Sequence, residues 1–348
     1  MGQVVVIRPA GLNEKVTANP RFVQEVLPFL APAVSDLLRN LPTSIWSELE
    51  ELRLRVGRPL LMRLGLGELT LNQHGEICRN LSDGVIISRE MVDRSLQMIT
   101  ASSIYACEEE LKNGFLTIRG GHRVGVTGKV VLEAGRVKTI RYVSSLNVRM
   151  SREIKGVGRQ VLPYLIHNSQ VVSTLIVSPP QAGKTTLLRD IIRLLSDGDQ
   201  KLGYGAVNVG VVDERSELAG CWQGVPQNDL GRRVDVLDAC PKAEGMLMLL
   251  RAMAPQVIVT DELGRESDLR AVQEAVSGGV AIITSVHGLD EQDIRRKPVL
   301  RAILDTGVFQ RIIVLSRRLG VGTLEKILDS STNRNLLSGG PKLLTGRC

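Results

Sequence analysis

The chain has 348 residues, which at about 100–200 residues per domain predicts two domains or three. Hydrophobic residues make up 43 % and charged residues 23 %, proportions that suit globular domains with ordinary cores. Aromatic residues make up only 3 %, which argues against a nucleic-acid binder built on aromatic stacking platforms. The five cysteines form no C-x-x-C, so the sequence favours neither a disulfide framework nor a zinc site, and a reducing cytosol fits.

The N-terminal sequence MGQVVVIRPAG contains too short an apolar run for a signal peptide. The longest uncharged stretch, residues 160–183, is interrupted by Pro163 and by the polar residues 168–170, so it should not span a bilayer as one helix. We therefore expect a cytoplasmic protein, with docking onto membrane proteins left open.

Residues 1–155 predict an α+β domain with a mostly antiparallel sheet. The pattern indicates a helix, interrupted by prolines, over 23–38, and apolar residues alternate with charged ones from Leu49 onward, as in a half-buried strand. Ser88 is a candidate N-cap for a helix that runs to about Tyr105. Strands punctuated by glycine are expected over 114–119, 122–131 and 136–142.

A basic segment covers residues 119–155, where nine Lys and Arg residues stand against only Glu133 and Glu153. This excess equals the net charge of +7 of the whole chain. Such a segment suits an anionic partner, such as nucleotide phosphate, nucleic acid, acidic lipid or an acidic protein face. A solvated strand face is the alternative interpretation.

Residues 149–158 have the composition of a polar linker, in which Gly156 and Gly158 are expected to add flexibility. Beyond it, a last predicted strand at 308–315 follows apolar runs that alternate with helical stretches, at 174–177, 207–212, 257–259 and 280–283. This alternation is typical of a parallel sheet flanked by helices. We assign this α/β core to residues 156–330 and expect residues 331–348, rich in Ser, Asn and Gly, to form a flexible tail.

The strongest motif follows the first of these apolar runs. It reads Ser178-Pro179-Pro180-Gln181-Ala182-Gly183-Lys184-Thr185, the phosphate-binding pattern G-x-x-x-x-G-K-[ST] with serine in the first glycine's place. Main-chain N–H groups and a helix N-terminus bind phosphate in such a loop. The candidate ATP-binding residues therefore run from Ser178 to Thr186, with Lys184 reaching the β- and γ-phosphates and Thr185 coordinating Mg²⁺. An ordinary strand–turn–helix is the alternative.

Two further strands end in carboxylates. The run V-I-V-T-D-E ends in Asp261, expected to hold Mg²⁺ through water, and Glu262, expected to polarise the attacking water. Asp213 and Glu214 end another apolar run, and the carboxyl ends of parallel strands meet at one edge of a sheet. We therefore expect both near the γ-phosphate and the metal, with an exposed acidic turn as the alternative.

A fourth strand ends in Thr284, Ser285, Val286, His287 and Gly288. The two hydroxyl groups are candidates to sense the γ-phosphate, and His287 is a candidate to relay that contact. A histidine with a purely structural role is the alternative interpretation.

Together these motifs resemble the family of stage III sporulation protein AA, which is similar to type II and type IV secretion ATPases. The resemblance runs from about Leu49 to Leu328 and rests on R-G-G-H-R-V-G-V-T-G-K from Arg119, V-V-D-E-R-S-E-L-A-G from Val211, and D-V-L-D-A-C-P-K-A-E-G-M from Asp235. It implies a RecA-like P-loop ATPase core behind an N-terminal α+β domain. It also implies a hexameric, Mg-ATP-hydrolysing ring that docks on inner-membrane subunits of the channel between mother cell and forespore, on the mother-cell side.

The resemblance also implies roles for single residues. The acidic box of secretion ATPases matches Asp213, Glu214 and Glu217, and their histidine box matches 284–288. Their N-terminal arginines reach the nucleotide, and Arg149 occupies a comparable place. Further arginine candidates are Arg123, Arg141 and, within the core, Arg215. Secretion ATPases usually have Gly-Glu where this chain has Asp261-Glu262, so whether Asp213 or Asp261 dominates at the metal stays open.

Two alternative functions belong to other classes. One is a nucleic-acid translocating RecA-like motor that binds the phosphate backbone through the basic segment. The other is a scaffold that binds ATP without hydrolysing it, against which the predicted water-positioning Glu262 argues.

Overall fold

The computed structural model describes residues 20–65, 67–101, 107–199 and 203–346. The chain divides into two compact units, Met1–Ser151 and Arg152–Cys348. The expectations about the first eleven residues lie outside the described residues. The helix expected to run to about Tyr105 ends earlier, at Ile99, and Ala101 just beyond it has a φ of 47°, which a helix cannot continue. Within the described ranges, no helix is both long enough and apolar enough to cross a membrane.

The first unit contains short helices, whose bounds follow from its prolines and polar caps. They are α1 (Pro20–Val26), α2 (Pro32–Arg39), α3 (Thr43–Glu48), α4 (Arg89–Ile99) and α5 (Glu108–Lys112). Pro32 starts α2 rather than interrupting it, because the first helical position needs no N–H donor. The Ser88 hydroxyl accepts a hydrogen bond from the Met91 N–H at 3.2 Å, which confirms the predicted cap of α4.

The sheet of the first unit is antiparallel throughout. Its strands are β1 (Leu49–Arg55), β2 (Leu61–Leu64), β3 (Gly67–Leu71), β4 (Ile77–Cys78), β5 (Phe115–Ile118), β6 (His122–Glu133) and β7 (Arg136–Arg149). They lie in the order β4-β3-β2-β1-β7-β6-β5. The alternation predicted from Leu49 is present, because Leu52 and Leu54 are buried in the core while Arg53 and Arg55 are only half-buried.

Most of the basic segment forms β6 and β7, where several cations have partners within the first unit. Arg149 lies opposite Arg123 across the two strands, and the Arg123 guanidinium lies 4.0 Å from the centre of the Phe115 ring. The Arg149 Nε lies 3.8 Å from a Glu51 carboxylate oxygen. Burial raises the pKa of Glu51, but the hydrogen bond from Arg53 and the neighbouring arginine charges lower it further than burial raises it.

The second unit contains a nine-stranded sheet and a separate hairpin. The hairpin consists of β8 (Ile166–His167) and β9 (Gln170–Val171). The sheet contains β10 (Thr174–Ser178), β11 (Val209–Asp213), β12 (Val234–Asp238), β13 (Val257–Glu262), β14 (Ala281–His287), β15 (Arg311–Ser316), β16 (Thr323–Asp329), β17 (Arg334–Asn335) and β18 (Lys342–Leu343). The helices are α6 (Lys184–Asp197), α7 (Lys242–Ala252), α8 (Glu266–Ser277), α9 (Glu291–Arg295) and α10 (Pro298–Asp305).

The strand order is β12-β11-β13-β14-β10-β15-β16-β17, with β18 also paired to β16. The strands from β12 to β15 are parallel, and β16 pairs antiparallel with β15. Helix α6 packs on one face of the sheet, and α7, α8 and α10 pack on the other. Because helices cover both faces, the central strands are continuous apolar runs, as predicted.

Two features of the second unit differ from the sequence-based expectations. The described part of the expected tail contributes β17 and β18 and buries Leu337 and Leu344 against the sheet. The linker glycines do not add flexibility, because the N–H groups of Gly156 and Gly158 both donate to the Asp190 carboxylate. Glycine at position 158 lets the segment pack closely on α6, since a Cβ there would lie 3.1 Å from Leu194 and 3.2 Å from Asp190.

A substitution in β6 tests the close pairing of β6 with β7. A Cβ at Gly128 would lie 2.7 Å from the Arg141 carbonyl oxygen, whereas one at Gly125 would be 3.7 Å from its nearest neighbour. Because backbone atoms cannot rotate away, Gly128→Ala should cost about 1–3 kcal/mol of the free energy of unfolding. Denaturant unfolding measures the loss. Gly125→Ala is the matched control on the same strand, and equal losses in the two variants would contradict this explanation.

Candidate functional site

The predicted phosphate-binding loop joins the buried end of β10 to the start of α6. Gln181 and Gly183 have φ angles of 58° and 87°, in the left-handed region. A Cβ at Gly183 would also lie 3.4 Å from Gly322, so glycine suits this position for two reasons. The Ala182 carbonyl accepts a hydrogen bond from the Gly322 N–H at 3.2 Å. The turn between β15 and β16 therefore supports the loop from outside.

The loop has free donors for an anion. Among the described residues, the main-chain N–H groups of Gln181, Ala182 and Gly183 have no protein acceptor. They lie at the N-terminus of the 14-residue helix α6, where the helix dipole favours negative charge. The Ser178 hydroxyl donates to the Pro179 carbonyl at 2.8 Å, so the serine in the first glycine's place is used within the loop. These residues fit a nucleotide's phosphates.

Three predicted site residues meet beside this loop, although they come from three different elements. Lys184 of α6 has its Nζ 3.8 Å from an oxygen of Glu262, at the end of β13. The same oxygen lies 3.1 Å from Nε2 of His287, at the end of β14. Burial lowers the pKa of Lys184, which the charges of Glu262 and Asp261 oppose. Glu262 is therefore held between a lysine and a histidine.

The end of β13 is bulged, which corrects one expectation about β14. The register between the two strands shifts between Val259 and Glu262. The hydroxyls of Thr284 and Ser285 both donate to the Asp261 carbonyl, at 2.8 and 3.0 Å. These buried hydroxyls therefore satisfy the carbonyl group at the bulge rather than pointing at a phosphate. The bulge places two successive carboxylates, Asp261 and Glu262, at the strand end.

Asp213 stabilises the turn that follows β11. It is fully buried, and its two oxygens accept the N–H groups of Glu217, Leu218 and Ala219 at 2.8 to 2.9 Å. Burial raises its pKa to about 6, although the backbone hydrogen bonds act in the opposite direction. Asp213 is thus not part of an exposed acidic turn, and its lone pairs serve the main chain.

Lys242 is a site residue that sequence reasoning missed. It starts α7 and is only 7 % exposed; its Nζ contacts the Glu214 carboxylate and lies 3.2 Å from Oδ1 of Asp261. Arg265 lies 3.5 Å from Glu214 on its other side. Burial raises the pKa of Glu214, but the hydrogen bond and charge of Lys242 lower it further. The position of Lys242 in C-P-K-A-E-G-M gave no local signal, because its contacts with Glu214 and Asp261 join elements that are distant in sequence.

A divalent cation fits beside Asp261 better than beside Asp213. The Asp261 Oδ1 faces only the Lys242 ammonium, at 3.2 Å and without a well-directed hydrogen bond, so a divalent ion could take the place of that ammonium. Thr185 lies in the first turn of α6, as the motif requires. Within the described ranges, no group of three or more His, Cys, Asp or Glu residues could hold a metal. Mg²⁺ takes one or two protein carboxylates and completes its shell with water and phosphate, so the donor set of Asp261 and Thr185 fits that ion.

The remaining predicted residues lie elsewhere. Thr186 lines a small crevice on α6 together with Arg189 and Glu153. Arg149 belongs to the first unit, where it is 64 % exposed at the end of β7, and its role at a nucleotide stays a prediction. Arg141 lies opposite Lys129 in the same unit, and Arg215 lies in the turn after Glu214.

Replacing Lys242 by methionine tests whether the lysine separates two carboxylates. Lys242→Met should lower the free energy of unfolding by about 3 kcal/mol, the lower end for a broken buried ion pair, because Glu214 and Asp261 lose their shared cation. Added Mg²⁺ should recover part of the loss by taking the ammonium's place. Denaturant unfolding with and without Mg²⁺ measures both effects.

The matched control is Lys138→Met, which removes an exposed ion pair with Glu133 and should change stability little. A Lys242→Met variant as stable as the wild type would contradict the shared-cation interpretation.

Comparisons with known proteins agree with the fold and the motifs. The family model "Sporulation stage III, protein AA" matches residues 21–335. Stage III sporulation protein AA of Bacillus subtilis (strain 168) is 43 % identical over 312 residues, covering 89 % of this chain and 96 % of that protein. Protein SEEDLING PLASTID DEVELOPMENT 1 of Arabidopsis thaliana is 29 % identical over 175 residues, covering 49 % of this chain and 24 % of that protein.

Two solved structures share the fold at 16 % sequence identity. The pilus retraction motor PilT with bound ADP has a TM-score of 0.51, over 86 % of this chain and 80 % of that one. The ATPase DotB of Legionella pneumophila has a TM-score of 0.50, over 78 % of this chain and 72 % of that one. The predicted fold class, a RecA-like P-loop core with an N-terminal α+β domain, is confirmed.

Proposed function

The chain belongs to the family of sporulation stage III protein AA, and from this premise we propose that it is a motor ATPase that hydrolyses Mg-ATP. The observation that carries the proposal is the meeting of Lys184, Glu262 and His287 beside a loop with free N–H donors. The shared fold supports it, since DotB is an ATPase and PilT is a pilus retraction motor solved with ADP. The motor works as a hexameric ring docked on inner-membrane channel subunits, on the mother-cell side.

The positions of the residues in the second unit indicate a separate role for each in ATP hydrolysis. Loop residues 178–186 bind the phosphates, and Lys184 stabilises charge on the β- and γ-phosphate oxygens. Glu262 orients the attacking water, and His287 holds Glu262 in place. Thr185 and Asp261 would hold Mg²⁺, which would supply positive charge to neutralise the phosphoryl oxygens. Glu214 has a smaller role, because Lys242 and Arg265 already occupy its carboxylate.

The rival function, a nucleic-acid motor, has one observation in its favour: basic residues such as Arg149 lie exposed on the strands of the first unit. In the ring model, Arg149 instead stabilises the γ-phosphate of a bound nucleotide. The two functions therefore predict different losses for the same substitution.

The first experiment removes the water-orienting carboxylate while keeping its shape. Glu262→Gln should still bind ATP but turn over at least about 100-fold more slowly, the lower range for a lost acid–base group. The turnover rate of Glu214→Gln should fall by a smaller factor, and Lys184→Ala should no longer bind ATP. Equilibrium nucleotide binding and phosphate release measure the two steps.

The matched control is Glu274→Gln, on the exposed face of α8, which should behave as the wild type. Unchanged turnover in a folded Glu262→Gln variant would remove this glutamate from the mechanism.

A second experiment distinguishes the two motors. Arg149→Ala should lower ATP turnover by roughly 10³-fold and weaken ATP-dependent assembly, because an arginine at the γ-phosphate carries that much of the rate. Arg149→Lys should restore only part of the turnover rate, since lysine lacks the planar guanidinium group that binds two phosphate oxygens at once. Turnover, light scattering and single-strand binding are measured on the same samples, with Arg39→Ala, an exposed arginine outside the basic segment, as the control. A variant that loses only strand binding would support the nucleic-acid motor instead.

A further inference from the structure

Two neighbouring side chains of α6, Arg189 and Asp190, hold two separate stretches of the second unit. One is the connecting segment, residues 152–158, which follows directly on the first unit. The other is the acidic turn, residues 213–219, which contains Asp213 and Glu214 of the candidate site. The helix that begins at the phosphate-binding loop therefore contacts both stretches through adjacent residues.

Arg189 joins the two stretches with a single guanidinium. Its Nη1 donates to the Arg152 carbonyl at 3.2 Å, in the connecting segment. Its Nη2 donates to the Glu217 carbonyl at 3.0 Å and its Nε to the Leu218 carbonyl at 3.1 Å, both in the acidic turn. A planar guanidinium can serve three carbonyl groups in fixed directions, which an ammonium cannot.

The acidic turn is held from both sides of its backbone. Asp213 accepts its N–H groups, while Arg189 donates to its carbonyl oxygens. The Leu218 carbonyl accepts a second hydrogen bond from the side chain of Asn228 at 2.9 Å. The position of the turn, and with it that of Glu214, therefore depends on Arg189.

Asp190 holds the connecting segment. Its carboxylate is 3 % exposed, and Oδ2 accepts the N–H groups of Gly156 and Gly158 at 2.8 and 2.7 Å. A second bridge runs beside it, because the Asp229 N–H donates to Glu153 and the Asp229 carboxylate pairs with Lys155. The crevice between these groups also includes Thr186, in the first turn of α6.

We propose that Arg189 is a positioning residue that joins the acidic turn to the connecting segment, with Asp190 fixing that segment on α6. Movement of the turn at the nucleotide site then reaches the chain that leads to the first unit. The nucleotide part of this inference rests on the proposed function, whereas the mechanical link between the two stretches does not.

The mechanical link is tested without nucleotide, by amide hydrogen exchange on the full chain. Asp190→Asn weakens contacts with the connecting segment and with Arg193 of the same helix, none of which lies in the acidic turn. It should nevertheless raise exchange about tenfold at both Gly156 and Gly158 and at the amides of 217–219. Arg189→Gln should loosen the same two groups of amides. The matched control is Arg311→Gln, a half-buried arginine that donates to the Tyr164 and Gln310 carbonyls and pairs with Asp329. This control should leave both groups unchanged.

Exchange that rises only where the substituted side chain makes contact would overturn the link. This outcome does not depend on whether the protein hydrolyses ATP, so it separates failure of the link from failure of the proposed function.

The positioning role is tested by separating binding from turnover. Arg189→Gln should keep the Kd for ATP within about threefold but lower kcat by at least about tenfold, because the loop still binds phosphate while Glu214 and its neighbours are displaced. Arg189→Lys should recover only part of kcat, whereas Arg311→Gln should keep all of it. Unchanged kcat in folded Arg189→Gln would overturn the positioning role, and a wild type without ATPase activity would overturn the proposed function instead.

Discussion

Burial of carboxylates at the carboxyl edge of a parallel sheet is the constraint on which the rest of the second unit depends. Strands β11, β13 and β14 end there side by side, and each buried acid needs a cation or N–H donors, because an unpaired buried charge costs several kcal/mol. Asp213 accepts hydrogen bonds from three main-chain N–H groups, buried Asp261 pairs with Lys242, and the half-buried Glu262 lies beside Lys184 and His287. The site is therefore assembled by mutual charge compensation between elements that are distant in sequence.

Helix α6 contacts both the candidate site and the two backbone stretches beside it. Its first residue, Lys184, faces a catalytic candidate, while Arg189 and Asp190, less than two turns further on, face the backbone of the acidic turn and of the connecting segment. Its apolar face packs against the sheet in the same stretch. A rigid helix with polar contacts at both places moves as one body, so a shift at its phosphate end displaces both stretches together.

The sequence could predict those features that rest on local periodicity or on one contiguous motif. The apolar runs of β10, β11, β13 and β14 and the loop at Ser178 are of this kind. Strand β12 was not predicted, because it lies at the edge of the sheet and its acidic residues alternate with half-buried ones. The roles of Lys242 and Arg189 were not predicted, because their partners lie on other elements. No local sequence pattern distinguishes a paired buried cation from a solvated one. Gly156 and Gly158 suggested flexibility, although Gly156 has a φ of 95°, in the left-handed region that favours glycine, and the missing side chain of Gly158 allows close packing on α6.

The geometry also bears on which aspartate holds the metal. Each oxygen of Asp213 already accepts at least one main-chain N–H, and pulling the carboxylate toward an ion would release the turn that Arg189 holds from the other side. Asp261 instead faces the ammonium of Lys242, which lies 3.2 Å from its Oδ1 without a well-directed hydrogen bond. A divalent ion can displace one ammonium more easily than three backbone donors, since lysine keeps Glu214 as a partner. The bulge fixed by Thr284 and Ser285 therefore positions the aspartate whose partner a cation could replace, and Asp213 acts on the site through the backbone that it holds.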